Sequence, residues 1–216
     1  MTCFITATNT EIGKTYTTLY LITKLSSLGY KVGIYKPIET GVKSKNGRIY
    51  PEDAMALLEC VQKYNPNFRG LDIVQVVSYT FALPASVYVA KQDVKIDLQK
   101  IKDDIKYLES KCDILLIEGA GGLMVPIERD FFMIDLIKEV SDKVVLVSGS
   151  YLGCINDLLL SISKCDSERL DYRWVINLYR DKDSFYEVTH PFLRDYFATV
   201  PILEQNSESL LEYISS

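Results

Sequence analysis

Short apolar runs rich in β-branched residues recur along this chain, and segments with helical spacing separate them. The clear runs span residues 3–7, 32–38, 73–79, 114–117, 144–147 and 174–176, and a weaker one spans 199–202. Strands that alternate with helices are typical of βαβ units, in which a parallel sheet is covered by helices on both faces. We therefore predict an α/β fold with three layers and a mostly parallel sheet.

Two of these runs, Ile114–Ile117 and Val144–Val147, are apolar at every position instead of alternating. A strand needs such a pattern when both of its faces are buried. We expect these two strands to be neighbours in the middle of the sheet.

The length of 216 residues and the hydrophobic content of 48% suit one compact domain, and we assign residues 1–216 to it. The net charge of −5 argues against a broad basic surface for nucleic acid or for an anionic membrane. A small molecule is therefore the expected partner.

The five cysteines form no C-x-x-C pair, which favours reduced thiols over disulfides or a metal site. The N-terminus shows no charged region followed by a long apolar segment, and the sequence has no apolar run long enough to span a membrane. These features predict a cytoplasmic protein.

The first apolar run leads into a helix that opens on Gly13-Lys14-Thr15. Apolar residues recur with helical spacing up to Leu28, and Gly29 can end the helix, so the predicted helix spans about 13–28. A strand, a short loop and a helix start place backbone N–H groups around one point, where phosphate is favoured. Lys14 could then reach terminal phosphates, and Thr15 could bind Mg²⁺.

This stretch departs from the usual G-x-x-x-x-G-K-[ST] pattern, because Thr8 stands where the first glycine is expected. A chance Gly-Lys-Thr is the alternative reading.

A metal near phosphates needs carboxylates, and Glu118 ends the buried strand 114–117 as in a Walker-B arrangement. A turn acid that accepts local N–H groups is the alternative for Glu118. Asp53 is predicted in the first turn of a helix, where the helix dipole favours an acid with or without a ligand. Lys36 follows a strand at the edge where open α/β sheets bind ligands, although a solvated lysine would fit there too.

Gly153-Cys154-Ile155-Asn156 precedes another helical pattern, so its backbone could receive a carboxylate or could simply start a helix. Residues 43–47 read as a surface loop. The only histidine, His190, is expected at the surface with no partner for Ser-His-Asp or Cys-His catalysis.

Several motifs together resemble one family, dethiobiotin synthetase, of the P-loop NTPase type. The first loop is similar to that family's loop, which likewise lacks glycine at the position of Thr8. The resemblance covers residues 3 to about 177 and rests on these stretches: Ala7–Thr15, Tyr35–Gly41, Glu52–Ala54, Glu118–Gly122 and Leu152–Asn156.

The resemblance implies an ATP- and Mg²⁺-dependent ligase that makes dethiobiotin from 7,8-diaminopelargonic acid and CO₂. A carbamate forms on one amine, the γ-phosphate of ATP converts it to a carbamic-phosphoric anhydride, and the second amine closes the ring and releases phosphate. Such chemistry needs positioning and charge neutralisation, without a covalent enzyme intermediate.

The resemblance also implies roles for individual residues. The catalytic pair would be Lys14 and Lys36, and the Mg²⁺ ligands would be Thr15, Asp53 and Glu118. The nucleotide would contact Glu11, Ile12, Gly13, Lys14, Thr15, Tyr16, Asp53, Glu118, Gly119, Ala120, Gly121 and Asn177. The substrate would contact Thr10 and Thr40, and across the interface of a homodimer Gly153, Cys154 and Asn156.

Two stretches depart from the family pattern, namely Ala7 in the first loop and Leu178-Tyr179-Arg180 after Asn177. Two rivals remain. A partitioning ATPase would carry its signature lysine at position 9, which is Asn9 here. Another P-loop amidoligase, of the cobyrinic acid type, would need a glutaminase half with a cysteine and a histidine.

Overall fold

The computed structural model describes residues 1–45 and 48–216. Its strands are β1 (Thr2–Ala7), β2 (Val32–Thr40), β3 (Lys43–Lys45), β4 (Arg48–Tyr50), β5 (Val77–Phe81), β6 (Ile114–Gly122), β7 (Pro126–Glu128), β8 (Phe131–Phe132), β9 (Lys143–Ser148) and β10 (Tyr172–Ile176). Its α-helices are α1 (Lys14–Ser27), α2 (Glu52–Tyr64), α3 (Val87–Ala90), α4 (Leu98–Glu109), α5 (Met133–Val140), α6 (Cys154–Ser167), α7 (Lys182–Ser184), α8 (His190–Tyr196) and α9 (Glu208–Ser215).

The main sheet has six parallel strands in the order β10-β9-β1-β6-β2-β5. Every residue of β1 is buried, although successive side chains point to opposite faces. Both faces of the sheet are therefore covered, which confirms the predicted three-layer α/β fold.

The prediction that strands 114–117 and 144–147 are neighbours is wrong, because β1 lies between β6 and β9. Phe4 pairs with Ile117 on one side and with Val144 on the other. A run of apolar residues indicates that a strand is buried on both faces, but it does not say which strand lies beside it. β1 is buried on both faces too, and it is the strand that separates β6 from β9.

Three shorter predictions also need correction. Residues 73–75 form a 3₁₀ turn capped by Asp72, so the strand predicted over 73–79 begins only at Val77. Ile202 pairs with Ile176 in an isolated bridge, where a strand over 199–202 was expected. Residues 43–45 pair with 48–50 in an antiparallel hairpin instead of a loop, and Asn46 and Gly47 lie outside the described residues.

The predicted helix after the first strand is confirmed. It runs over Lys14–Ser27, and Gly29 follows with φ +94°, a left-handed conformation that glycine adopts without strain. Since all strands of the main sheet are parallel, β1, β2 and β6 end at the same edge. The loop before α1 lies at that edge. Lys36 and Glu118 lie near it but inside β2 and β6, so Lys36 does not follow its strand as predicted.

Within residues 1–45 and 48–216, no helix has both the length and the apolar character needed to cross a membrane. All five cysteines are free thiols in this structure. The single histidine, by contrast, is half-buried, and His190 lies 5.7 Å from the ring of Phe185 and 5.4 Å from that of Tyr186. It therefore belongs to an aromatic cluster and not to the open surface.

Candidate active site

The loop between β1 and α1 has a backbone that only certain residues tolerate. Glu11 and Gly13 both adopt left-handed conformations, with φ +57° and +91°. A Cβ atom on Gly13 would lie 2.1 Å from the amide nitrogen of Asn177, so this position must be glycine. Ile12, between them, buries its side chain in the core and anchors the loop.

Asn177, at the end of β10, holds this loop from the other side. Its side-chain Nδ2 donates to the backbone oxygen of Ile12 at 2.8 Å, and the residue is buried. The loop that would surround phosphate is therefore fixed by contacts to the sheet before any ligand binds.

Glu118 is fully buried inside β6, which continues to Gly122 instead of ending at this residue as predicted, and three side chains donate to its carboxylate. Thr15 donates to Oε1 at 2.8 Å and Lys36 donates to the same oxygen at 2.6 Å. Thr18 donates to Oε2 at 2.7 Å. A buried carboxylate needs such partners, and here they connect β2, β6 and α1 in one cluster.

Thr18 is part of this cluster although the sequence motifs do not point to it. It lies one helical turn after Thr15, so the two hydroxyls share a face of α1. That spacing, together with a buried acid on the neighbouring strand, is the signal that could have identified it.

Lys36 lies between two acids. Its Nζ is 2.6 Å from Glu118 Oε1 and 3.2 Å from Asp53 Oδ2, and its side chain is only 3% exposed. Burial alone would lower the pKa of Lys36, but the Glu118 carboxylate, assisted by Asp53, raises that pKa above its usual value. Lys36 is therefore a buried permanent cation at the sheet edge.

Lys14 is also buried, but its environment is different. Its Nζ makes one long contact, 3.5 Å, to the backbone oxygen of Asn9. Burial, followed by repulsion from Lys36, lowers the pKa of Lys14 from 10.5 to about 8. An anion placed beside Lys14 would relieve both effects.

Asp53 is held in the first turn of α2, as predicted, and Glu39 contacts the same turn. The Glu39 carboxylate accepts from the backbone N–H groups of Asp53, at 3.1 Å, and Ala54, at 2.9 Å. Burial raises the pKa of Glu39, and these two N–H donors oppose the shift. The sequence motifs do not single out Glu39.

These residues border a cavity of about 1310 Å³ at the sheet edge. Most of the predicted site residues line it: Thr10, Glu11, Gly13, Lys14, Thr15, Tyr16, Lys36, Thr40, Asp53, Gly119, Ala120, Gly121 and Asn177. Glu118 lies beneath this lining, in contact with Thr15 and Lys36. The volume is ample for a nucleotide together with a second small molecule.

The far side of the cavity is formed by the two segments that follow Asn177 and Pro201, and it includes Tyr179, Arg180 and Glu204. Arg180 lies 3.5 Å from the Glu11 carboxylate, and the Tyr16 hydroxyl donates to Glu204. The stretch Leu178-Tyr179-Arg180, which departs from the family pattern, therefore lies at the candidate site.

Three predicted substrate contacts do not line this cavity within one chain. Gly153, with φ +104°, precedes α6, and Cys154 is buried, whereas Asn156 is exposed. Burial raises the pKa of the Cys154 thiol to about 11, which makes it a poor nucleophile.

The oxygen atoms near Lys36 suit a hard divalent cation. Thr15, Asp53 and Glu118 offer a hydroxyl and two carboxylates, and Mg²⁺ usually combines one or two carboxylates with water and phosphate oxygens. In the part of the chain that the structure describes, no three His, Cys, Asp or Glu side chains are grouped to hold a metal unaided. The donors thus fit Mg²⁺ bound with a phosphate ligand.

Comparisons with known proteins agree with this geometry. A family model described as an AAA domain matches residues 1–209. An ATP-dependent dethiobiotin synthetase of Sulfurovum sp. is 48% identical, over 99% of this chain and 98% of the relative. Another of Wolinella succinogenes is 36% identical, over 98% of both chains.

Solved structures with the same fold are more distant in sequence. The MinD cell division protein of Aquifex aeolicus gives a TM-score of 0.52 at 17% identity, over 99% of this chain and 86% of that one. The septum site-determining protein MinD of Pyrococcus horikoshii, complexed with Mg-ADP, gives 0.53 at 18% identity, over 94% and 79%. They support the P-loop fold alone.

Proposed function

Because this chain belongs to the ATP-dependent dethiobiotin synthetase family, we propose that its cavity binds Mg-ATP and 7,8-diaminopelargonic acid side by side and closes the cyclic urea. One observation carries the proposal. Lys14, Lys36, Thr15, Asp53 and Glu118 come from four separate elements and meet at one edge of the sheet, in or beneath one cavity.

Each of the two lysines has a distinct part in this proposal. Lys36 carries a permanent charge and would stabilise the negative charge that develops on the γ-phosphoryl group during transfer to the carbamate. Lys14, at the start of α1, would bind the terminal phosphates together with the N–H groups of the loop. Thr10 and Thr40 line the cavity near them and would orient the diamine.

Thr15, Asp53 and Glu118 would hold Mg²⁺. When bound, the ion would offset the negative charge of the phosphates. The hydroxyl of Thr18 keeps the Glu118 carboxylate oriented, while Ile12, Gly13 and Asn177 keep the loop in shape.

We also propose a homodimer in which the start of α6 completes the substrate site of the partner. Two observations support it: Gly153, Cys154 and Asn156 lie away from the cavity of their own chain, and large apolar side chains are exposed nearby. Leu152 is 80% exposed and Leu160 is 64% exposed. The N–H groups at the start of α6 would receive the substrate carboxylate.

We also propose that the chain folds as a single domain and that the protein is located in the cytoplasm. A single domain is supported by a core that extends from Cys3 to Ile214. A cytoplasmic location is supported by ATP as the co-substrate and by the free cysteines, which suit a reducing compartment.

The test is product formation. The protein is incubated with 7,8-diaminopelargonic acid, bicarbonate and Mg-ATP, and dethiobiotin is measured by mass spectrometry, with reactions lacking either bicarbonate or ATP as controls. We expect dethiobiotin and ADP in equal amounts in the complete reaction only. ADP without dethiobiotin would reject the ligase function and favour a switch ATPase.

A further inference from the structure

The first turn of α2 is capped by a residue from another element. Pro51 occupies the N-cap position, and its side chain has no atom that could accept a hydrogen bond. The acceptor comes instead from β2, where both oxygens of Glu39 are used, one by the N–H of Asp53 and one by that of Ala54. Glu39 is 5% exposed and lines the cavity; its bond to the N–H of Ala54 is buried, and its bond to the N–H of Asp53 is partly buried.

Strand β2 therefore contacts Asp53 at two points. Glu39 accepts from its backbone N–H, and Lys36 lies 3.2 Å from its carboxylate. The Asp53 side chain is itself 48% exposed, so surrounding packing does little to fix it. Its direction depends on where the first turn of α2 is held.

A second contact between this turn and the hairpin cannot take over that role. Glu52 pairs with Lys43 at 2.8 Å, but the two side chains are 63% and 71% exposed. Exposed ion pairs contribute little and are screened by salt. Lys36 contacts the side chain of Asp53, whereas the Glu39 carboxylate is the contact from β2 to the backbone of this turn.

We infer that Glu39 is a positioning residue, which fixes the first turn of α2 so that the Asp53 carboxylate is presented to the Mg²⁺ and phosphate site. This inference rests on the proposed function, because it assigns Asp53 to Mg²⁺. Outer residues that orient metal ligands commonly change metal affinity by about 10- to 100-fold when they are replaced.

The test compares Glu39→Gln with Glu52→Gln. Each removes one negative charge at the start of the same helix, but only Glu39 contacts the N–H of Asp53. Isothermal titration calorimetry gives the affinity for ATP with and without Mg²⁺, and hydrogen exchange gives the protection of the Asp53 and Ala54 amides. We expect Glu39→Gln to weaken Mg-ATP binding by about tenfold and ATP binding without Mg²⁺ by less than about twofold. Exchange at both amides should accelerate, and Glu52→Gln should change neither quantity.

A double-mutant cycle separates positioning from a general loss of stability. In an Asp53→Asn background, Glu39→Gln should change Mg-ATP affinity by less than about twofold, because its effect passes through Asp53. An equal loss in both backgrounds, or unchanged amide exchange, would overturn the inference. Wild-type protein that binds Mg-ATP but makes no dethiobiotin would count against the proposed function alone, since these titrations do not use the diamine.

Discussion

Lys14 and Lys36 are both buried near the carboxyl ends of the strands, but the pKa of Lys36 is raised and that of Lys14 is lowered. Lys36 has two carboxylates within 3.2 Å, and their charge outweighs the penalty of burial. Lys14 has one long contact to a backbone oxygen, so burial dominates and its pKa falls to about 8. Lys14 is thus prepared to gain an anionic partner, whereas Lys36 already has one.

This difference predicts proton uptake on nucleotide binding. At pH 8.5 a good part of the free protein carries neutral Lys14, since its pKa is about 8. Bound phosphates would raise that pKa again, so Mg-ATP binding should take up a proton, and less so at pH 7, where Lys14 is already charged. Calorimetry in buffers of different ionisation enthalpy measures this uptake. Lys14→Met should abolish it, and uptake that persists in that variant would assign the proton to another group.

Lys36 should matter for the chemical step. We expect Lys36→Ala to lower turnover by about a hundredfold or more, because the charge on the transferring phosphoryl group loses its cation. The variant Lys63→Ala is the control, since Lys63 is an exposed lysine of α2 far along the helix from Asp53. Steady-state measurement of dethiobiotin formation checks both. Normal turnover in Lys36→Ala would remove this residue from the catalytic set.

The conformation of the loop between β1 and α1 depends on a contact with the residue that follows β10. Asn177 directly follows β10, the outermost strand on one side of the sheet. Its side-chain amide nevertheless holds the loop that follows the central strand β1. This hydrogen bond is buried, and the same Asn177 amide lies directly against Gly13. The loop conformation is therefore set by a residue far away in sequence.

Asn177→Ala should release the loop. The Ile12 carbonyl would lose its partner in a buried position, which costs about 1–3 kcal/mol of stability. We expect a lower melting temperature and Mg-ATP binding weakened by about tenfold. Asn67→Ala is a matched control, because the Asn67 amide also donates to a backbone oxygen, that of Lys111, but at the surface. Equal effects of the two changes would contradict a specific role for Asn177.

Sequence patterns predicted the elements better than their arrangement. Apolar runs and the stop at Gly29 identified β1 and α1, because these signals are local. Strand order was missed, since burial on both faces is common to β1, β6 and β9. The 3₁₀ turn at 73–75 was missed because its apolar residues resemble the start of a strand.

At the site, too, the sequence predicted residues in local motifs but missed residues that act through tertiary contacts. Lys14 and Thr15 follow from a local motif, but Thr18 and Glu39 act through partners that are distant in the sequence. Thr18 meets Glu118 only because α1 packs beside β6, and Glu39 meets Asp53 only because α2 returns to the end of β2. Such contacts depend on the tertiary fold, and residue spacing alone does not identify the partner: the Thr15–Thr18 spacing places two hydroxyls on one face of α1 but does not say which acid they meet.

For the whole molecule, the proposed dimer leads to a complementation test. Lys36→Ala removes a group from the cavity of its own chain, whereas Asn156→Asp places a negative charge where the partner would receive the substrate carboxylate. Each variant alone should be nearly inactive. When the two are mixed and allowed to exchange subunits, heterodimers have one intact site, and about a quarter of wild-type turnover should return. No recovery despite proven subunit exchange would place the start of α6 outside the shared site.

The most direct measurement is a crystal structure of the protein with a non-hydrolysable Mg-ATP analogue and 7,8-diaminopelargonic acid. We predict that the Nζ atoms of Lys14 and Lys36 both lie within about 3.2 Å of terminal phosphate oxygens. We also expect the metal at Thr15, Asp53 and Glu118, with the diamine beside Thr40. A triphosphate bound elsewhere, or one contacted by neither lysine, would contradict it.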